Sequence, residues 1–228
     1  MDSGGDYRLG LWVRDSTAGI GTMTFYDPAS GGYGALGHAI TDPDTGTVLP
    51  VQQGDLVESS VTAIEPGRKG DPGELIGRFT PQSRVLGSIL ANGTRGIYGR
   101  LDEPLSSELF PAGVSVMTSG EVHPGEASLL TTLDDTGVHA YACEIVRLTG
   151  SPGSERGFVL RVTDPALLAR TGGIVQGMSG SPILQDGRLA GAVTHVFVSD
   201  PTRGYGIFIE NMLDTLDETL AAPRENAA

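Results

Sequence analysis

Ser179 sits in Gly177-Met178-Ser179-Gly180-Ser181, a run of small residues broken only by one methionine. A serine hydroxyl is a weak nucleophile until a base takes its proton. Small residues with unusual backbone angles can expose that hydroxyl and aim successive N–H groups at one point. The amides of Gly177 and Ser179 would then form an oxyanion hole. Downstream, Asp186-Gly187 between apolar flanks is the strongest short-range hairpin signal, a type I′ turn. With those two as the turn, Gln185 pairs with Arg188, and continuing the ladder sets Ser179 opposite Thr194. Thr194 is therefore a candidate for lining a substrate cleft, although a β-former in an ordinary hairpin needs no such role.

The base must come from four histidines, at 38, 123, 139 and 195. His38 ends the strand-like run GALGHAI among small residues, which leaves space around its ring. His123 lies in the polar turn EVHPGE and reads as a solvated loop residue. His139 starts a strand beside DDTG and reads as structural. His195 follows Thr194, so strand alternation aims it at the opposite face, away from Ser179.

The elements that must position these groups are mostly β. Runs 8–14 and 19–26 read as strands, and a third short run ends at His38. The stretch 48–65 continues with β-branched residues. Residues 66–74 (PGRKGDPGE) read as an exposed loop. Runs 84–91 and 95–101 are β-like, and 101–113 breaks the pattern as a linker between halves. VSVMTSGEVH, ASLLTTL, VHAYACEIVRL and GFVLRVT are again strand-like, with the HAYACEIV portion read as buried. Two helices stand out. One follows Asp164 as N-cap, with Pro165 at its first position and Gly172 near its stop. The other spans 208–222, with Ile209, Met212, Leu213, Leu216 and Leu220 on one face. The tail PRENAA reads as frayed.

Composition excludes several classes. The 228 residues hold 15 basic and 28 acidic side chains, a net charge of −13, which argues against nucleic acid and against an anionic membrane surface as partners. No apolar run approaches the roughly 20 residues that span a bilayer. The single cysteine, Cys143, rules out an intrachain disulfide and four-cysteine zinc sites, and it reads as a buried structural thiol. No metal or cofactor is expected. No lysine follows the glycines before Ser179, so a phosphate-binding loop is a poor reading. The start, MDSGGDY, resembles neither a signal peptide nor an anchor. The chain is expected to be cytosolic or a soluble piece of something longer.

The motifs also carry a resemblance. GIGTMTFYDPASGGYGALGHAI is similar to the histidine-bearing hairpin of chymotrypsin-like and HtrA-like serine peptidases, and QGMSGSPIL to their serine motif. WVRDSTAGIGT, YGALGHAI, GGIVQGMSGSPI and GAVTHVFV resemble the SpoIVB sporulation peptidases of endospore-forming bacteria, over about residues 8–215. The resemblance implies an all-β, chymotrypsin-like double β-barrel: a single peptidase domain over 1–228, with His38 in a first half (8–105) and Ser179 in a second (114–207). It implies a serine endopeptidase with His38 as base, Ser179 as nucleophile and Asp164, in RVTDPALL, as orienting acid. Chymotrypsin-like enzymes instead place that acid between histidine and serine. From the residues alone Asp164 reads as a helix cap. Asp42 is the nearest acidic competitor, with a turn role as its plainer reading, and a Ser–His dyad stays open.

Two departures matter. Met178 stands where digestive enzymes carry an aspartate that pairs with a newly cut N-terminus, so that activation ion pair cannot form. Ser181 replaces the second glycine of the serine motif. The family's membrane anchor and PDZ domain are not found in this chain, which resembles an isolated peptidase domain. The implied setting is sporulation signalling in the space between forespore and mother cell. There the family trims a membrane-bound inhibitor, releasing a membrane-embedded protease that processes a sigma factor, and it also cuts itself. The competing class is a peptidase fold that binds peptides without cutting them.

Overall fold

A computed structural model describes residues 19–222, except 43, 52, 53, 80, 81, 151 and 152. The strand expected at 8–14 and the frayed tail at 223–228 lie outside the described residues.

The first half contains seven strands: β1 (Met23–Asp27), β2 (Gly32–Ala35), β3 (Gly54–Val57), β4 (Ser60–Glu65), β5 (Glu74–Arg78), β6 (Val85–Gly93) and β7 (Gly96–Leu101). Five form an antiparallel sheet in the order β1-β2-β7-β6-β3, while β4 and β5 pair separately as a hairpin. Tyr33, Ala35, Leu36 and Ile97 form its buried centre. The loop expected at 66–74 is the β4–β5 connection. The strand that follows it, β5, was hidden because its first residues continue that Pro/Gly-rich segment.

The second half closes on itself. Strands β8 (Gly125–Thr132), β9 (Val138–Leu148), β10 (Phe158–Val162), β11 (Pro182–Gln185), β12 (Arg188–Phe197) and β13 (Asp200–Phe208) form a barrel in the order β10-β13-β12-β11-β8-β9. Closure removes the free strand edges that an open sheet must protect. Leu129, Ile145, Phe158, Leu160, Ile183 and Val193 fill its interior. The second half is thus a closed barrel as expected, while among the described residues the first is a five-stranded sheet with a separate hairpin.

Three expectations change in detail. Residues 114–123 are not a strand; Val116 makes only a single bridge to Leu189, and the Glu121 carboxylate then closes a turn by accepting from the Thr118 amide at 2.8 Å. Strand β9 alternates, burying Cys143 and Ile145 while their neighbours face outward, so it is half-buried rather than buried throughout. Asp-Pro and two glycines conceal β13 in the sequence, yet it pairs with both β12 and β10.

Both helices lie where their end signals put them. Helix α1 (Pro165–Thr171) is capped by Asp164 and stopped by Gly172 in the left-handed region, φ 71°. Helix α2 (Ile209–Ala221) has no side-chain cap but buries Ile209, Met212 and Leu216. Each such burial is worth about 1.5–3 kcal/mol. The cluster they join includes Tyr98 from β7 together with Leu184, Leu189, Ala192 and Ile207 from the barrel. One apolar cluster thus spans both halves.

Candidate active site

The histidine turn is built from strain and close approach. Beyond β2 the chain turns through Leu36 (φ 69°) and Gly37 (φ 67°), so His38 sits past the strand end rather than on it. A positive φ at leucine costs on the order of 1–3 kcal/mol and persists only where packing over-determines it. Leu36 is buried, which supplies that packing. Gly37 lies so close to β12 that an added Cβ would come within 2.9 Å of the Thr194 methyl. His38 is half-buried, and its Nδ1 lies 2.9 Å from the Ala39 carbonyl. A carbonyl can only accept, so Nδ1 carries the proton and the lone pair is on Nε2. Nε2 has no hydrogen-bond partner among the described residues.

The serine loop opens a hairpin of the expected kind. Asp186 (φ 51°) and Gly187 (φ 72°) form its tip, and Gln185 pairs with Arg188. The ladder then slips by one residue between Leu184 and Ile183, giving Pro182 opposite Ala192. The simple count from the turn therefore fails by one residue before it reaches Ser179. The serine still meets Thr194, but through the backbone: its hydroxyl donates to the Thr194 carbonyl at 3.1 Å. The buried Thr194 hydroxyl instead donates to the Tyr205 carbonyl at 3.2 Å.

Ser179 and His38 line one cavity of about 220 Å³, with Ile174, Val175, Gln176, Val193, Thr194, His195 and Val196. Gln176 N–H donates to Gly73, Met178 N–H to Val175, Gly180 N–H to Val193 and Ser181 N–H to Met178. Among the described residues the amides of Gly177 and Ser179 have no such acceptor. Buried or half-buried amides are normally paired, so these two, on either side of Met178, are donors left open to an acceptor from outside the loop. Gly177 has φ 92°, which aims its peptide as no residue with a Cβ readily would.

His195 does not point away from Ser179. A bulge between Val193 and His195 leaves Thr194 without a ladder pairing to β13, and strand alternation breaks there. The His195 ring consequently lies on His38, centroids 5.0 Å apart and tilted by 38°. Withdrawal from water, then repulsion from His38 whenever that ring is protonated and from Arg156, hold the His195 imidazole toward its neutral form. Nothing local in the sequence announces a one-residue bulge, so this neighbour was not foreseen.

The acids lie elsewhere. One oxygen of Asp164 accepts from the Ala166 and Leu167 amides at 2.8 and 3.0 Å, and the other from the Ala142 amide at 3.2 Å. These amides, Leu167 foremost, hold its carboxyl below the ordinary range. Asp164 does not line the cavity and makes no hydrogen bond to His38 among the described residues. The Asp42 Oδ1 closes its own turn, accepting from the Asp44 and Thr45 amides at 3.0 and 2.8 Å. His123 faces the exposed Asp186 carboxylate at 3.2 Å, and the His139 Nε2 meets the Thr136 hydroxyl at 2.8 Å, so neither belongs to the cavity. Met178 is fully buried in the barrel core, where an aspartate would be out of place. Ser181 is also buried, and its hydroxyl has no partner among the described residues. Burial pushes the Cys143 thiol up to about 12, far from a thiolate nucleophile. Among the described residues no cluster of three or more His, Cys, Asp or Glu could hold a metal, and no helix is long and apolar enough to cross a membrane.

The SpoIVB peptidase S55 family model matches residues 5–213. The chain belongs to that family. Among solved structures it is similar to the active form of the Rv3671c protease from M. tuberculosis, at 16% identity and TM-score 0.36, covering 65% of this chain and 63% of that one. It is also similar to an inactive serine-to-alanine mutant of the same protein, at 14% identity and TM-score 0.33, covering 63% of this chain and 75% of that one. The chain thus spans under two thirds of the first of these structures. No curated protein matches it.

Proposed function

We propose that this SpoIVB-family chain is a serine endopeptidase in which Ser179 attacks the peptide carbonyl and His38 takes its proton through Nε2. The amides of Gly177 and Ser179 receive the oxyanion, an acyl-enzyme forms, and water hydrolyses it. The observation that supports this is the pair of unpaired amides beside a serine that shares a cavity with an accepting imidazole. The Ala39 carbonyl fixes the His38 tautomer, so the pair works as a dyad, with Asp164 serving as the cap of α1. Ile174, Val193 and Val196 give the cavity an apolar wall, which suits an apolar side chain next to the cut bond. By family, the physiological role is sporulation signalling between forespore and mother cell, with a membrane-bound inhibitor of a sigma-factor-processing protease as substrate and self-cleavage alongside. A fluorophosphonate should label the protein at Ser179, found by peptide mass analysis. Absence of labelling, with peptides still bound, would favour the non-catalytic reading.

A further inference from the structure

Unlike its amides, the carbonyls of the serine loop all have donors. The Gln176 carbonyl accepts from the Leu75 amide at 2.8 Å, Gly177 from the Thr22 hydroxyl at 3.0 Å, and Met178 from the Ser181 amide at 2.9 Å. Ser179 accepts from the Thr22 amide at 2.9 Å, and Gly180 from the Thr24 hydroxyl at 2.8 Å. Four of these five donors come from the first half of the chain. Only the Met178 carbonyl is held from within the loop.

Thr22 has a third tie. Its own carbonyl accepts from the Leu36 amide at 3.2 Å, inside the strained turn that presents His38. One residue therefore grips the serine loop with its amide and hydroxyl and the histidine turn with its carbonyl. The contact is close. An added Cβ on Gly180 would stand 2.0 Å from the Thr22 carbonyl oxygen and 2.6 Å from the Leu36 amide nitrogen. Within a planar peptide, holding the Gly177 carbonyl also sets the Met178 amide, the one between the two unpaired amides, which donates to Val175.

We infer that Thr22, assisted by Thr24, is a positioning residue for the hydrolysis. Its hydroxyl fixes the Gly177–Met178 peptide between the two oxyanion donors. Its backbone registers that loop against the turn carrying the base. This rests on the reading of Ser179 as nucleophile. The reaction needs donors aimed at the oxyanion and a hydroxyl aimed at the base at once, and small misplacements of such groups cost large factors in rate. A hydroxyl that holds geometry acts on the bond-forming step rather than on binding.

The test uses the full chain and a fluorophosphonate probe, measuring the maximal labelling rate and the half-saturating concentration separately. Thr22→Val keeps the shape of the side chain and removes the hydroxyl. It should slow maximal labelling by on the order of 10- to 100-fold, with half-saturation moved by less than about twofold. Thr22→Ser restores the hydroxyl and should recover most of the rate. Thr24→Val should slow labelling in the same sense and decides the matter if Thr22→Val does not fold. Wild-type labelling rates in folded Thr22→Val and Thr24→Val would overturn the inference. So would a Thr22→Ser protein as slow as Thr22→Val, since the methyl group would then be what matters. Ser179→Ala is assayed in parallel. Labelling that persists there removes the nucleophile assignment itself, whereas labelling lost there but normal in Thr22→Val removes only the positioning role.

Discussion

The turns bearing Ser179 and Asp164 come from motifs of similar standing in the sequence, yet they use their polar groups in opposite ways. At Asp164 both carboxylate oxygens are occupied by amides, two from the helix they start and one from Ala142 on β9. Around Ser179 every loop carbonyl has a donor, but two amides have no acceptor among the described residues. The first turn is complete as it stands. In the proposed mechanism the second is completed by a carbonyl oxygen of the substrate. On that proposal the site is marked by unfilled hydrogen-bonding capacity, and Asp164, which does not line the cavity, has none facing it.

The contrast can be broken most directly at the serine. Ser179→Ala should lower kcat by roughly a millionfold, and His38→Ala by a comparable factor, measured on any cleaved peptide. Retained turnover in either variant removes the dyad. A smaller loss follows from disturbing the donor site alone. Gly177→Ala introduces a Cβ at φ 92°, 3.0 Å from the Leu75 Cβ. It should reduce kcat on the order of 10²- to 10³-fold, and an unaffected kcat would show that this amide is not a donor to the transition state.

Asp164→Ala tests the other side of the comparison. Loss of the cap should lower the stability of the protein by about 1 kcal/mol in urea unfolding, while kcat stays within about twofold. A fall in kcat near 10⁴-fold would instead give Asp164 the orienting role of a triad acid. The smallest effect is in pH. The folded-state pKa of Asp164 is lowered, so its stabilisation is present above the ordinary carboxylate pKa of 3.8 and is lost as pH falls through the folded value. Asp164→Asn keeps a capping oxygen without that titration. Its acid-unfolding curve should be shallower below pH 4 than that of the native protein, and identical curves would mean that the carboxylate does not titrate with folding.

Much of this was legible in the residues. The Asp186-Gly187 turn, the cap and stop of α1 and the apolar face of α2 follow from short-range rules, because turn angles and helix ends are decided within a few residues. The family motifs brought His38 and Ser179 forward as partners. What misled were long strands read by counting. The slip near Leu184 and the bulge at Thr194 each shift a side chain by one place, which for a strand reverses its face. His195 moved into the cavity by that route.

The sequence by itself determined that this chain is a β-rich protein with a serine in a glycine-rich loop, a histidine near the end of a strand-like run and an aspartate heading a helix. Only the tertiary structure decided which of these meet. Thr22 and Ser179 are brought into contact across 157 positions of chain, and the β12 bulge is set by pairing with β13. Both are properties of packed neighbours distant in sequence, and no local pattern encodes which carbonyl will find a donor.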